Sequence, residues 1–384
     1  MISKKRKIWF EAMKLPVTVT AAASAVLSCG YALCPAVLQG GKILGTANRL
    51  GLILYQAGGL FYYHMDIVLC VGLVYGLCKK DRYALFSAAF SMFCAQLILN
   101  PVNAGRIFPV ICENSLRASA FSFYPQPFTG ILCALMIWMI FQKKKRAGGF
   151  LVSFAACICV LMLWALLYPF LFELSFKAGM FFADRGGAGA VLYTMSDRML
   201  SLTGLNQGMF QAVMKDTWGK GEMTAFFALR TQVETDWPLG AYMSGCMPMV
   251  TAGIPYSLYV LYQKRGRSEN AVLFILLAAA SMTGGLTEGI ELLLASCSCR
   301  MFAVYILLYG CTAVLTLWSG FRAGYALHGG LADFFFSAPM PGAQKLYMIL
   351  FLSISAVVLC RTVFCARKIL CWKSNKNSER FKDL

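Results

Sequence analysis

Two carboxylates, those of Glu288 and Glu291, interrupt a part of the sequence that is otherwise apolar enough for lipid. They belong to the segment GGLTEGIE at residues 284–291, between apolar runs at 271–280 and 292–295. A charged group at bilayer depth costs at least about 2.5–3.5 kcal/mol, so it persists mainly where it faces a wet cavity or a partner. The glycines weaken the helix at the same point, and broken backbone at that depth must line a cavity or be buried in protein. The segment therefore predicts a re-entrant hairpin or interrupted helix that carries a polar binding site. A packed pair of buried acids, or a loop between two short helices, is the plainer alternative.

The composition is that of a polytopic membrane protein. Of 384 residues, 59% are hydrophobic and 14% charged, and the mean hydropathy is +0.64, whereas about a quarter of a soluble chain is charged. The net charge of +18 comes from short basic clusters between apolar runs. This is the positive-inside pattern of a membrane protein, so no nucleic-acid partner is expected. The sixteen cysteines are scattered and the histidines are only His64 and His328, so zinc spacings are missing and neither a metal nor a cofactor is expected.

Basic clusters and apolar runs predict the layout of the first half. Spans are expected at about 16–37, 52–78, 83–99, 128–141 and 150–172, with an outer loop at 100–125; most are near the roughly 20 residues that a spanning helix needs. Residues 1–172 would then form an N-terminal membrane domain of five spans. Residues 173–366 would form a C-terminal membrane domain with re-entrant hairpins, followed by a basic cytoplasmic tail at 367–384.

The second half is harder to divide, because residues 173–240 are too polar for hydropathy to resolve. Spans are expected at about 241–262, 302–319 and 346–366. If residues 271–298 enter the membrane and return, the basic tail lies in the cytoplasm with the basic N-terminus, and if they cross, the tail lies outside. Charge thus favours the re-entrant interpretation. The predicted fold class is an all-α polytopic membrane protein with about 8–10 transmembrane helices plus re-entrant hairpins, ten if residues 173–240 cross twice.

Five segments, in order along residues 14–334, resemble motifs of the enzyme IIC membrane component of the bacterial phosphoenolpyruvate-dependent sugar phosphotransferase system, in its glucose, N-acetylglucosamine and maltose superfamily. GLTEGIE at 285–291 matches the family's GITEPIE, with glycine for proline. KLPVTVTAA at 14–22 resembles MLPVAVLPAA, and GAVLYTMSDRMLSLTGLNQ at 189–207 is similar to GAFxYGFLNRLLLPTGLHH. Residues 245–255 match GKFPFMMFGLP loosely, and residues 329–334 are similar to AGLIDY.

The sequence departs from this family at residues that matter for chemistry. Asn206 and Gln207 replace two histidines, the first of which the family uses beside the sugar hydroxyl that is phosphorylated. An imidazole exchanges protons near neutral pH and an amide does not, although an amide still donates and accepts hydrogen bonds. Cys246 replaces a family lysine, and the GGxRFVP stretch is missing. No part of the sequence resembles the fused IIA and IIB domains, so a phosphorylatable residue is not expected and enzymatic activity in its own right stays open.

The resemblance implies a homodimer with an alternating-access sugar site, in which residues 1–172 are the dimerisation scaffold and residues 173–366 hold the sugar site. Glu288, and with it Glu291, would accept hydrogen bonds from sugar hydroxyls, since residues three apart share one face of a helix. Arg198 would lie near the sugar or the incoming phosphoryl group, where a guanidinium is well suited to phosphate. The other candidate sugar-binding residues are Thr287, Asn206, Gln207 and His64; no catalytic residue is assigned. The alternatives are a salt bridge of Arg198 with a neighbouring acid, polar packing of the two amides at a helix end, and a satisfied core position for His64.

These inferences predict a sugar-specific permease in the bacterial cytoplasmic membrane, with both termini cytoplasmic. It would translocate a hexose, amino sugar or related disaccharide for phosphorylation by a separate IIB protein. Because the family histidine is Asn206, the alternative is a divergent homologue that acts as an uncoupled facilitator or as a membrane sugar sensor. A third hypothesis is an unrelated carrier in which Glu288 couples protons. No motif distinguishes one sugar from another.

Overall fold

The structure, a computed structural model, describes residues 2–35, 45–123, 126–143, 146–215, 221–227, 239–265 and 271–365. These residues form helices, turns and loops, apart from one isolated antiparallel bridge between Arg322 and Gln344. The predicted all-α fold class is confirmed. The predicted basic tail at 367–384 and part of the polar region, residues 216–220 and 228–238, lie outside the described residues.

Nineteen α-helices follow one another in the described part of the chain. In order they are α1 (Ile2–Leu33), α2 (Gly45–Tyr62), α3 (Met65–Leu77), α4 (Arg82–Ile98), α5 (Pro101–Ile107), α6 (Pro109–Cys112), α7 (Ser115–Ala120), α8 (Pro127–Lys143), α9 (Arg146–Ala183), α10 (Gly186–Leu200), α11 (Asn206–Met214), α12 (Glu222–Phe227), α13 (Ala241–Ser244), α14 (Ile254–Arg265), α15 (Ala271–Gly284), α16 (Glu288–Cys297), α17 (Cys299–Ser319), α18 (Leu331–Ser337) and α19 (Met348–Cys365). Two short 3-10 turns, at Phe121–Phe123 and Ser201–Thr203, and a π turn at Met249–Gly253 complete the described elements.

Several of these helices have the length and composition of membrane spans. Among the described residues, three are long and apolar enough to cross a membrane, Glu11–Leu33, Ala147–Ala183 and Cys299–Ser319. The number rises to five if two bent pairs, α2 with α3 and α4 with α5, each form one span. Shorter apolar helices are Pro127–Lys143, Ala271–Gly284 and Met348–Val363. The molecule is thus a multi-pass helical membrane protein, while the arrangement of its crossings and the side of its termini stay predictions.

The chain divides into two compact units, and neither is continuous in sequence. The first comprises Met1–Thr20, Tyr63–Ala178 and Leu200–Phe210, and the second comprises Ala21–Tyr62, Gly179–Met199 and Gln211–Leu384. This division into compact units does not test the functions that the sequence predicts for residues 1–172 and 173–366, so those functions stay predictions.

In the first unit, capping side chains fix where the helices begin. The Asp81 carboxylate accepts hydrogen bonds from the backbone N–H groups of Tyr83 and Ala84 at the start of α4, which satisfies donors that the helix leaves unpaired. Helices α3 and α8 approach closely, since a Cβ at Gly130 would strike the backbone carbonyl of Asp66. These contacts order the first unit around α3, α4 and α8.

In the second unit, the helix through the GGLTEGIE segment is interrupted, as the sequence predicts. Helix α15 ends at Gly284, α16 begins at Glu288, and residues 285–287 between them are not helical. Gly285 has a φ of +75°, a left-handed conformation that glycine adopts without steric penalty. A Cβ at this position would also meet the backbone carbonyl of His328. The break therefore depends on the absence of a side chain at residue 285.

Replacing Gly285 with alanine should lower the unfolding temperature. The left-handed conformation costs a non-glycine residue about 1–2 kcal/mol, and the collision with the His328 carbonyl adds strain. Gly187→Ala is the matched control: in α10 its Cβ would meet only a Leu317 methyl carbon at 3.8 Å, so alanine should be neutral or stabilising. Thermal unfolding in detergent compares the two. Equal unfolding temperatures would contradict the dependence on Gly285.

Candidate functional site

The helix break brings two carboxylates to the first turn of α16. Thr287 is its N-cap, and Glu288 and Glu291 follow in the first turn. The N-terminus of a helix carries partial positive charge and unpaired N–H groups, so it favours carboxylates. The same sequence that breaks the helix therefore stabilises acidic side chains at the break.

Glu291 is held in a network of hydrogen bonds and is fully buried. Its Oε1 accepts a hydrogen bond from the Thr287 hydroxyl at 2.8 Å and another from the Tyr305 hydroxyl at 3.1 Å. The Arg198 guanidinium lies 3.5 Å from the same oxygen. The two hydroxyls donate hydrogen bonds to the carboxylate, and the guanidinium lies close enough to balance its charge. Glu291 is therefore held in place by the protein itself.

Arg198 joins α10 to this network. Its Nη1 donates to the Thr287 hydroxyl at 2.7 Å, and its Nη2 donates to the Asp197 carboxylate at 2.6 Å. The guanidinium also lies 5.7 Å from the centre of the Tyr309 ring, in the range of a cation–π contact. Arg198 thus makes the ion pairs that the alternative interpretation of the sequence expects, and its predicted place near sugar or phosphate stays a prediction.

Glu288 is in a different situation. Among the residues that the structure describes, its Oε2 has no hydrogen-bond partner although it is buried. Its Oε1 lies 3.9 Å from His328 Nε2, which is longer than a hydrogen bond. A buried carboxylate oxygen without a partner is destabilising unless a ligand or water satisfies it. Glu288 is therefore the carboxylate of this pair that is available to a ligand.

His328 is held beside Glu288 by a loop that wraps around one carboxylate. Asp333 is fully buried, and it accepts four hydrogen bonds from the backbone N–H groups of residues 326–329, at 2.8–3.3 Å. A fifth comes from the Tyr31 hydroxyl at 2.7 Å. Such a carboxylate fixes the path of the backbone, so the position of His328 follows from Asp333.

Replacing Asp333 with asparagine should destabilise the protein strongly. The amide keeps one acceptor oxygen, but its NH2 group would face backbone N–H groups, and each buried group left without a partner costs about 1–3 kcal/mol. Tyr31→Phe is the control, since it removes only one of the five hydrogen bonds and should cost about 0.5–1.5 kcal/mol. Thermal unfolding of both variants in detergent gives the comparison. An Asp333→Asn protein as stable as Tyr31→Phe would show that the loop does not depend on the carboxylate.

Asn206 and Gln207 belong to the other unit. They begin α11 two residues after Gly204, whose carbonyl accepts a hydrogen bond from the Tyr168 hydroxyl at 3.1 Å. Ser175 donates to the carbonyl of Leu205. Asn206 is buried, so this turn is a well-ordered part of the first unit, and sugar contact by its amides stays a prediction.

His64 also belongs to the first unit, where it precedes α3. Its Nδ1 is buried and has no hydrogen-bond partner among the described residues. Two residues on, the buried Asp66 accepts a hydrogen bond from Gln96 at 3.1 Å. A ligand contact by His64 thus stays a prediction, as it was from the sequence.

Of the seven predicted site residues, the structure brings together Arg198, Thr287, Glu288 and Glu291. It adds His328, Asp333 and Tyr305, to which the sequence assigned no role. The spacing of His328 and Glu288 along the chain carries no signal, because a contact across forty residues depends on the fold. The only available hint was that His328 is one of two histidines and stands beside two glycines.

Comparison with known proteins agrees with this architecture. No family model matches the chain. The chain is 23% identical over 331 residues to the PTS system N-acetylglucosamine-specific EIICB component of Bacillus subtilis (strain 168), covering 81% of this chain and 68% of that protein. It is also 23% identical over 353 residues to the PTS system N-acetylglucosamine-specific EIIC component of Streptomyces coelicolor, covering 84% of this chain and 80% of that one.

The comparison with a longer relative shows what share of its length this chain covers. The chain is 22% identical over 386 residues to the PTS system glucose-specific EIICBA component of Staphylococcus carnosus, covering 88% of this chain but 55% of that protein. The chain therefore spans about half the length of this EIICBA relative. The similarity extends over most of this chain in each case.

Proposed function

Because the chain is a member of the enzyme IIC components of the phosphotransferase system, in the glucose superfamily, we propose that it is a sugar permease whose ligand binds at Glu288. Its substrate would be a hexose, an amino sugar or a related disaccharide. The observation that carries the proposal is the buried Oε2 of Glu288 at the break between α15 and α16, which no described residue hydrogen-bonds.

The chemistry of the site suits a neutral polyhydroxylated ligand. A carboxylate accepts hydrogen bonds through two oxygens, and a pair of neighbouring sugar hydroxyls can donate to both. The Arg198 guanidinium is already engaged by two carboxylates, Asp197 at 2.6 Å and Glu291 at 3.5 Å, so the site does not require an anionic ligand.

The proposal includes a partner and a reaction. A separate IIB protein would bring a phosphocysteine to the cytoplasmic side, and its phosphoryl group would pass to the bound sugar. We further propose a homodimer in the bacterial cytoplasmic membrane, with both termini cytoplasmic, residues 1–172 as the dimerisation scaffold and residues 173–366 around the sugar. In this arrangement the sugar reaches the phosphoryl donor when the site opens inward.

Uptake into proteoliposomes tests the proposal. Radiolabelled N-acetylglucosamine and glucose are offered to vesicles that contain the purified protein, with and without a cysteine-phosphorylated IIB protein inside. We expect saturable uptake of one of the sugars and recovery of sugar phosphate when the phosphorylated IIB protein is present. Absence of saturable uptake and binding for every hexose, amino sugar and disaccharide tried would overturn the proposal.

A second candidate function, an uncoupled sugar facilitator or membrane sensor, rests on Asn206. The amide at this position cannot exchange a proton, so the group that the family uses beside the reacting hydroxyl is absent from its place. Saturable uptake of free sugar, with no sugar phosphate formed by any IIB protein, would favour the facilitator. Sugar binding without uptake would favour the sensor.

A further inference from the structure

We infer that His328 accepts the proton of the sugar hydroxyl that is phosphorylated, while Glu288 accepts a hydrogen bond from a neighbouring hydroxyl of the same sugar. The inference rests on the proposed function and assigns a reacting group to a site where the sequence suggested none.

The distance between the two side chains fits two neighbouring sugar hydroxyls. His328 Nε2 and Glu288 Oε1 are 3.9 Å apart. Two hydroxyl oxygens on adjacent sugar carbons can therefore lie about 2.8 Å from one atom each, an ordinary hydrogen-bond distance, and each hydroxyl donates its single proton to one acceptor. The His328 side chain is 25% exposed and that of Glu288 is 11% exposed, so a ligand can reach the pair while water is largely excluded.

The backbone of His328 is fixed on both sides. Its N–H donates to Asp333 at 3.2 Å, and its carbonyl accepts a hydrogen bond from the Cys246 thiol at 3.8 Å. The same carbonyl lies where a Cβ of Gly285 would be, so the loop packs directly against the helix break. A proton acceptor needs a defined position relative to the reacting atom, and these contacts supply it.

The imidazole of His328 can accept the proton of a hydroxyl that is bound beside Glu288. In the reaction, the sugar oxygen forms a bond to phosphorus as the bond between phosphorus and the cysteine sulfur of the IIB protein breaks. The hydroxyl proton passes to neutral His328 Nε2, and the sulfur leaves as thiolate. The carboxylate of Glu288 then stabilises the imidazolium that forms. A positioned proton acceptor contributes about 10²–10⁴-fold to a rate.

The test separates binding from phosphoryl transfer. Wild type, His328→Gln and His328→Ala are purified in detergent, and their unfolding temperatures are recorded to show that they are folded. Binding of radiolabelled N-acetylglucosamine gives the Kd. The rate of phosphoryl transfer is measured in a single turnover, with a cysteine-phosphorylated IIB protein of an N-acetylglucosamine system as the donor. The same measurement is repeated with glucose and a IIB protein of a glucose system. We expect His328→Gln to keep its Kd within about 3-fold, because glutamine still forms the hydrogen bond, and to lose at least about 100-fold in rate.

Imidazole added to the solution should restore part of the rate of His328→Ala and leave His328→Gln unchanged, since only alanine leaves space for it. A purely structural histidine would not respond in this way. Transfer by His328→Gln within about 3-fold of wild type, or a rate of His328→Ala that imidazole does not restore, would overturn the inference. If wild type binds sugar but no IIB protein phosphorylates it, the inference falls while the permease stands. If wild type binds no sugar, the proposed function itself falls.

Discussion

Replacing Glu288 with glutamine should abolish saturable sugar uptake and leave the protein folded. A hydrogen bond to a charged group is worth about 1.5–3 kcal/mol, and the carboxylate of Glu288 would accept two from the sugar. Loss of the charge and of one acceptor should weaken sugar binding about 100-fold, since a tenfold change in affinity corresponds to about 1.4 kcal/mol. The fold should survive, because Oε2 has no hydrogen-bond partner among the described residues that the substitution would strand.

Equilibrium binding of radiolabelled sugar and uptake into proteoliposomes measure this loss. The matched control is Glu113→Gln, which makes the same chemical change at an exposed glutamate and should bind and transport as wild type does. Wild-type affinity in Glu288→Gln would remove Glu288 from the sugar site. A lowered unfolding temperature together with lost binding would point to a structural role instead.

Replacing Arg198 with methionine should destabilise the protein strongly. The side chain fills a similar volume but leaves the Asp197 and Glu291 carboxylates without their guanidinium. Removing one partner of a buried ion pair costs about 3–5 kcal/mol, because the remaining charge is buried without compensation. We expect a sharp fall in folded protein and in unfolding temperature.

Two further variants separate charge from packing. Glu291→Gln in the Arg198→Met background removes one of the stranded charges, so it should recover part of the lost stability, and a double-mutant cycle measures the coupling. Lys177→Met is the control for a salt bridge as such: Lys177 lies 2.8 Å from Glu173 but its side chain is 67% exposed, so its loss should cost no more than about 1 kcal/mol. Equal effects of Arg198→Met and Lys177→Met would show that burial of the network contributes little.

The GGLTEGIE segment shows how far the sequence determines the site. Acids and glycines between two apolar runs predicted an interrupted helix, and the break at residues 285–287 agrees. The reason is local: glycines weaken the helix, and a first turn favours carboxylates. The helix break and its acidic first turn depend only on residues that are neighbours in the chain, so the sequence alone predicts them.

The two glutamates show where such reasoning ends. Their spacing placed Glu288 and Glu291 on one face and treated them alike. The structure distinguishes them, because Arg198 and Tyr305 both contact Glu291. Among the described contacts, neither residue reaches Glu288. Both are distant in sequence from Glu288. The same holds for His328, whose place beside Glu288 depends on the backbone hydrogen bonds to Asp333. Tertiary contacts decide these roles, and no local pattern encodes them.

The hydrogen bond between Tyr31 and Asp333 joins residues 302 positions apart. It can therefore form only after the intervening part of the chain has been synthesised. Tyr31 lies in α1 and leaves the ribosome long before Asp333, which lies in α18. Contacts between distant positions form late, since a long loop must close before they contribute. During synthesis the loop that carries His328 has no fixed path until most of the chain is in the membrane. We therefore expect protection of this loop from protease to appear only late in biogenesis, together with the ability to bind sugar.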